Sequence, residues 1–152
     1  IIAPEPPKAF VDGDPKDRQL FPDVAAAERA YYEKTGIFPI MHVLVVRKSL
    51  AEEHPALAPA LFRAFLTAKR LAMTELDAIA EASANKITLP WFAAELAQTK
   101  ALMGKDFWRY GIAENAKEIE DMCRYSHEQH LSARLLTVGD LFVPETVEMD
   151  GG

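Results

Sequence analysis

The stretch Gly36–Arg47, GIFPIMHVLVVR, constrains the fold more than any other part of this chain. From Ile40 to Val46 every residue is apolar except His42, and Val43, Val45 and Val46 are β-branched. That composition predicts a β-strand over Ile40–Arg47 covered on both faces, as in α/β sheets. Pro39 can open such a strand but could not sit in its middle. An imidazole near the start of a covered strand must find a hydrogen-bond partner. Histidine is also the side chain best suited to give up a proton near neutral pH. His42 therefore has two readings, a core histidine bonded to a backbone carbonyl or a general acid.

Helices are expected on either side of this strand. Ile1–Ala3 read as the tail of a first strand, ended by Pro4, Pro6 and Pro7 in an extended segment. The chain opens without Met or a signal-peptide pattern, and is read as the C-terminal piece of a longer protein. Val11–Pro22 is a polar loop with turn chemistry at Asp12-Gly13 and Asp14-Pro15. A helix follows from about Asp23 to Lys34, with Gly36 as its C-cap. Ser49-Leu50-Ala51-Glu52 spells a capping box that starts a short helix. From Pro55 to about Ser83, Leu57, Leu61, Phe65, Ala68, Ala72, Leu76 and Ile79 step by three or four and predict one apolar stripe.

Two further helices are expected, at Thr88–Met103, stopped by Gly104, and at Ala113–Gln129, with Ala116, Ile119, Cys123 and Met122 inward. Thr137–Asp140 carries a second cap, and Glu145–Gly152 reads as a frayed tail. Two strands cannot form a covered sheet by themselves. Their neighbours are expected from residues outside this chain.

Composition excludes some functions. Seventeen Lys and Arg against 23 Asp and Glu give a net charge of −6, which speaks against a general nucleic-acid surface. A small anion held by two or three local cations stays compatible with that balance. No apolar run approaches the roughly 20 residues of a membrane span. A single cysteine, Cys123, rules out an internal disulfide.

Most candidate motifs have plain structural readings. His127-Glu128-Gln129-His130 spaces its histidines by three, whereas the zinc-protease helix needs four. These residues are read as a solvated helix end, and Cys123 as core. His54 is read as an exposed connection residue, and Phe107, Trp108 and Tyr110 as core anchors or the floor of a ligand cleft. What remains is Glu5-Pro6-Pro7-Lys8 together with His42, both placed at ends of covered strands, where α/β sheets bind ligands.

At these residues a resemblance becomes visible. IIAPEPPKAF, LFPD, AERAYYEKTGIFPIMHVLVVRKSLAEEHP, LPWFAAEL, ALMGKDFWRYGI and RYSHEQHLS look like the C-terminal half of the 4,5-dihydroxyphthalate decarboxylase family. More distantly, the chain resembles the periplasmic binding proteins for small organic anions. The resemblance implies an α/β fold in which residues 1–152 form the helix-rich C-terminal portion of a two-lobed, periplasmic-binding-protein-like (type II) domain, with the N-terminal half absent. It implies non-oxidative decarboxylation of a small aromatic dicarboxylate, with no nicotinamide, flavin or pyridoxal cofactor. A metal stays open, since its ligands could come from outside this chain.

Such chemistry needs an acid, a base and cations for two carboxylates. No family motif maps these roles onto the chain; from the residues themselves His42 suits the acid and Glu5 the base, with a solvated loop as the plain reading of Glu5 and Lys8. Lys8 would bind a carboxylate, and Tyr32 and Thr35 would offer hydroxyls. A homo-oligomer and a cytoplasmic location are the accompanying expectations. The competing reading is a periplasmic solute-binding protein that holds a small organic anion without turnover.

Overall fold

The computed structural model describes residues 5–152. The chain divides into two units, Ile1–Gly36 and Ile37–Gly152, each described here by itself. The strand tail expected at Ile1–Ala3 lies outside the described residues.

In the first unit α1 (Lys8–Val11) is a single turn directly after Pro7, where extended chain and loop were expected. Proline is well placed ahead of a helix because it surrenders no needed N–H there. The turn is closed by an exposed ion pair between Lys8 and Asp12, one turn apart. Helix α2 (Val24–Thr35) matches its expected span. Asp23 accepts a hydrogen bond from the Ala26 amide at 2.9 Å, satisfying one of the orphan donors of the first turn. Gly36 ends the helix at φ 67°, a left-handed conformation that favours glycine, and donates to Tyr32 O at 2.7 Å. No described side chain of this unit is buried.

The second unit departs from expectation at its start. No strand forms among the described residues, and Ile40–Val46 has no regular structure. A strand is held by ladder bonds to a neighbour. Lacking one here, the run leaves Met41, Val43, Leu44 and Val45 exposed, Val45 to 81%.

Helix α3 (Lys48–Glu53) begins one residue ahead of Ser49, which places that serine inside the first turn, where it cannot cap. Helix α4 (Leu57–Ala80) is the long helix expected; Leu57, Leu61, Leu76 and Ile79 of the predicted stripe are half-buried, but in its middle the covered face is rotated by about one residue. Leu66 and Lys69 are buried, with Phe62, Met73 and Asp77 half-buried on the same side, while Phe65, Ala68 and Ala72 are exposed. Helix α5 (Phe92–Met103) starts four residues later than expected and stops at Gly104 as expected. A 3-10 turn at Ala113–Asn115 leads into α6 (Ala116–Glu128).

Two short helices, α7 (Val138–Leu141) and α8 (Pro144–Val147), complete the chain. The core of this unit is Ile112, Ile119 and Cys123, covered by Leu136, Val138, Phe142 and Val147. Met122, counted inward from the sequence, is half exposed. Helix α6 ends in a left-handed residue, His130 (φ 59°), with Leu131 N donating to Ser126 O and His130 N to His127 O. That bonding pattern closes the orphan carbonyls of the last turn.

The region Glu145–Gly152 is not a frayed tail. Helix α8 packs on α4, and Gly151 is buried. Its N–H reaches Glu114 Oε1 at 3.3 Å and its carbonyl accepts from Lys69 Nζ at 3.2 Å. A Cβ at this position would lie 1.8 Å from Tyr110 O, so only glycine fits. Gly151→Ala should lower stability by about 1–3 kcal/mol, the range for an overpacked site. An unchanged denaturation midpoint would show that the segment does not dock.

Ahead of α7 the expected cap is present and reciprocal. Asp140 accepts from both the Thr137 amide and the Thr137 hydroxyl at 2.8 Å, and Arg134 pairs with the same carboxylate. Arg134 first, then the Thr137 bonds, hold the Asp140 carboxyl well below the usual carboxylate range. A lowered folded pKa contributes stability above the ordinary carboxylate range, and loses it as pH falls through the lowered value. Asp140→Asn should therefore be less stable than the wild type at neutral pH, with the gap closing in strong acid. Denaturation midpoints taken across that range check the sign.

Candidate functional site

The residues singled out from the sequence are divided between the two units. Glu5, Lys8, Tyr32 and Thr35 belong to the first, and His42 to the second. Glu5 is exposed in the bend before α1. Lys8 opens a helix rather than ending a strand, and its ammonium is matched by Asp12. Tyr32 and Thr35 are half-buried near the end of α2. The Thr35 hydroxyl donates to Tyr31 O at 2.7 Å. His42 is exposed on the irregular run Ile40–Val46. It is neither the covered strand histidine nor the core histidine that the composition suggested, because the ladder that would cover it is not formed.

Other sequence readings can be placed as well. Cys123 is buried in the core as expected. His127 and His130 are exposed at the end of α6, in keeping with a solvated helix end. His54 is exposed. Of the aromatic group after Gly104, Phe107 and Tyr110 are half-buried and Trp108 is exposed. Trp108 meets Phe38 edge-on with ring centroids 5.9 Å apart, and the Tyr110 ring faces Lys69 Nζ at 5.2 Å.

The most organised polar cluster of the second unit escaped the sequence reading. It centres on Lys69, whose side chain is only 6% exposed. The ammonium lies 2.7 and 2.8 Å from the two carboxylate oxygens of Asp106 and 3.2 Å from the Gly151 carbonyl. Three donors thus meet two carboxylate acceptors, a carbonyl and an aromatic face, a set that satisfies a buried cation. Nearby, Arg109 pairs with the buried Glu118 at 2.7 Å, and Asn115 donates to Gly111 O at 2.7 Å. These bonds hold the turn between Gly104 and Ala113 against α6. One signal was available in the sequence: Lys69 stands three residues after Leu66 and four before Met73, on one helix face.

Beside this cluster an open groove of about 430 Å³ runs along α4. Leu66 and Met73 supply apolar surface, and Lys69, Arg70, Lys105, Asp77 and Asp106 supply charge. Asp106 is engaged by Lys69, and Asp77 by Lys100. Among the described residues Arg70 and Lys105 have no acidic partner. Among the same residues no three His, Cys, Asp or Glu side chains gather as metal ligands, and no helix is long and apolar enough to cross a membrane.

The sequence is similar to that of a decarboxylase. A curated relative, the 4,5-dihydroxyphthalate decarboxylase of Comamonas testosteroni, is 43% identical over 148 residues, which are 97% of this chain and 44% of that protein. The chain thus spans less than half the length of the relative it matches. No family model matches the sequence.

The geometry yields a direct test of the Lys69 cluster. Lys69→Met keeps the length of the side chain but leaves Asp106 and the Gly151 carbonyl without their donor. Breaking one side of a covered pair costs a few kcal/mol, and Asp106 is partly solvated, so about 2 kcal/mol is expected. Protection of the Gly151 amide against hydrogen exchange should fall in parallel. A variant with wild-type stability and protection would remove Lys69 from its central place.

Proposed function

We propose that the protein carrying this chain is a 4,5-dihydroxyphthalate decarboxylase, and that the chain is the helix-rich C-terminal part of its two-lobed, periplasmic-binding-protein-like (type II) fold. The observation that carries this reading is the 43% identity, sustained over 97% of the chain. The exposed β-branched run at Ile40–Val46 supports the architectural half. Such a run is stable as a strand only when paired and covered. The relative has more than half its length outside the matched region, enough to supply those neighbours.

In the proposed reaction each carboxylate of the substrate has a hydroxyl para to it. Glu5 takes the proton of one hydroxyl, and the oxygen's electron pair is pushed into the ring. The ring carbon bearing the para carboxylate accepts a proton from His42. The bond from that carbon to the carboxylate then breaks, its electron pair returns to the ring, and carbon dioxide leaves. The ring regains aromaticity and the phenoxide recovers a proton. Lys8 neutralises one carboxylate as a point charge, while Tyr32 and Thr35 contact the ring substituents. The substrate is a small aromatic dicarboxylate, and the electron push comes from its own hydroxyl rather than from a redox cofactor. His42 serves better as a proton donor once the segment carrying it is paired and drier than in this structure.

The test measures binding and carbon dioxide release in the intact protein with 4,5-dihydroxyphthalate and with phthalate, which lacks both hydroxyls. Phthalate should bind comparably, because the carboxylates carry most of the attraction, yet release no carbon dioxide. His42→Gln should lower kcat by on the order of 10²-fold while the protein stays folded. Tight binding of both compounds with gas from neither would favour the solute-binding reading. Unchanged turnover in His42→Gln would remove that residue from the chemistry.

A further inference from the structure

The groove along α4 carries a charge pattern that folding alone does not use. Lys69 is consumed by Asp106 and by the Gly151 carbonyl, and Lys100 by Asp77. Arg70 and Lys105 both line the groove and, among the described residues, neither has an acidic partner. Both stand on one concavity of a chain whose net charge is −6. The groove also has an apolar lining, from Leu66 and Met73, and lies open to solvent.

We infer that this groove is a binding site for a small carboxylate attached to a compact apolar body, with Arg70 and Lys105 holding the carboxylate and Leu66 and Met73 facing the body. Arginine suits this role because its planar guanidinium can hold both oxygens of one carboxylate. Lysine adds a point charge from the turn after Gly104. A hydrophilic anion such as phosphate would satisfy the cations but leave Leu66 and Met73 unused. The two carboxylates already present favour a singly charged ligand end over a densely charged one. The inference rests on the charges and lining of the groove, and not on the proposed decarboxylation.

The experiment uses the intact protein, with benzoate as probe, benzamide as its uncharged counterpart and inorganic phosphate as the apolar-free anion. Amide shifts of Lys69–Thr74 and Lys105–Asp106 are followed by NMR during each titration. Benzoate should shift these amides at millimolar concentration, and Arg70→Gln and Lys105→Gln should each weaken it about tenfold, the loss of one charge-assisted contact. Lys8→Gln should leave this affinity unchanged, which separates the groove from the residues assigned to the substrate above. Three results would each overturn the inference: benzamide binding as well as benzoate, phosphate binding as well as benzoate, or an Arg70→Gln/Lys105→Gln double variant with wild-type affinity. The readout is binding at named amides, so a protein that releases no carbon dioxide can still pass.

Discussion

The second unit is organised around one buried cation. The Lys69 ammonium gathers the Asp106 carboxylate and the Tyr110 face from the turn after Gly104, and a carbonyl from the C-terminal segment, two pieces of chain remote from it in sequence. A lysine this deeply covered is costly unless each of its donors is used, and here the acceptors are in place. The same contact explains the rotation of α4 from its expected register. Turning Leu66 and Lys69 inward puts Phe65 outside, a loss of apolar burial that the ion pair and the packing of α8 offset. It also gives the groove its sign, because binding Asp106 leaves Arg70 and Lys105 as the unmatched charges.

Local rules were mostly legible where the controlling atoms lie within one turn of each other, the box read at Ser49 being the exception. Asp23 caps α2 and Gly36 ends it, Gly104 stops α5, and Thr137 and Asp140 close their reciprocal cap. Ile119 and Cys123 lie inward on α6 as their spacing predicts. The misses share a different cause. Lys69 was passed over because hydropathy alone assigns a lysine to the solvent side, and its carboxylate partner lies 37 residues away. Gly151 was read as fraying because its anchors, Glu114 and Lys69, are equally remote. Of the candidate site, the residue types were legible and their surroundings were not. Whether His42 is covered depends on a strand neighbour, which no pattern within residues 36–47 encodes.

The core of the second unit is thin. Among the described residues the buried apolar side chains are Leu66, Ile112, Ile119 and Cys123, while Leu20, Leu71, Trp91 and Leu131 stay largely exposed. Single exposed apolar residues are ordinary. A consecutive run such as Met41–Val45 is not, because it combines exposed side chains with the strand propensity that favours edge pairing. The composition that suggested a covered strand and the exposure found are therefore two sides of one fact. The segment keeps a strand-favouring composition while its side chains stay exposed and no ladder forms.

For an acidic chain to hold an acidic ligand, local attraction must outweigh long-range repulsion. At physiological ionic strength, charges more than about 8 Å apart are largely screened, so the net charge of −6 matters less at a site than the few nearest groups. What counts is whether a cation near the site is already engaged. Lys8 is matched by Asp12 across one exposed turn, a contact that solvent and salt weaken and that an incoming carboxylate can displace. Lys69 is matched in a covered setting and is not available in that way. Arg70 and Lys105 need no displacement at all. The three cases form a graded supply of positive charge, and the grading follows from burial and partner geometry rather than from the number of basic residues.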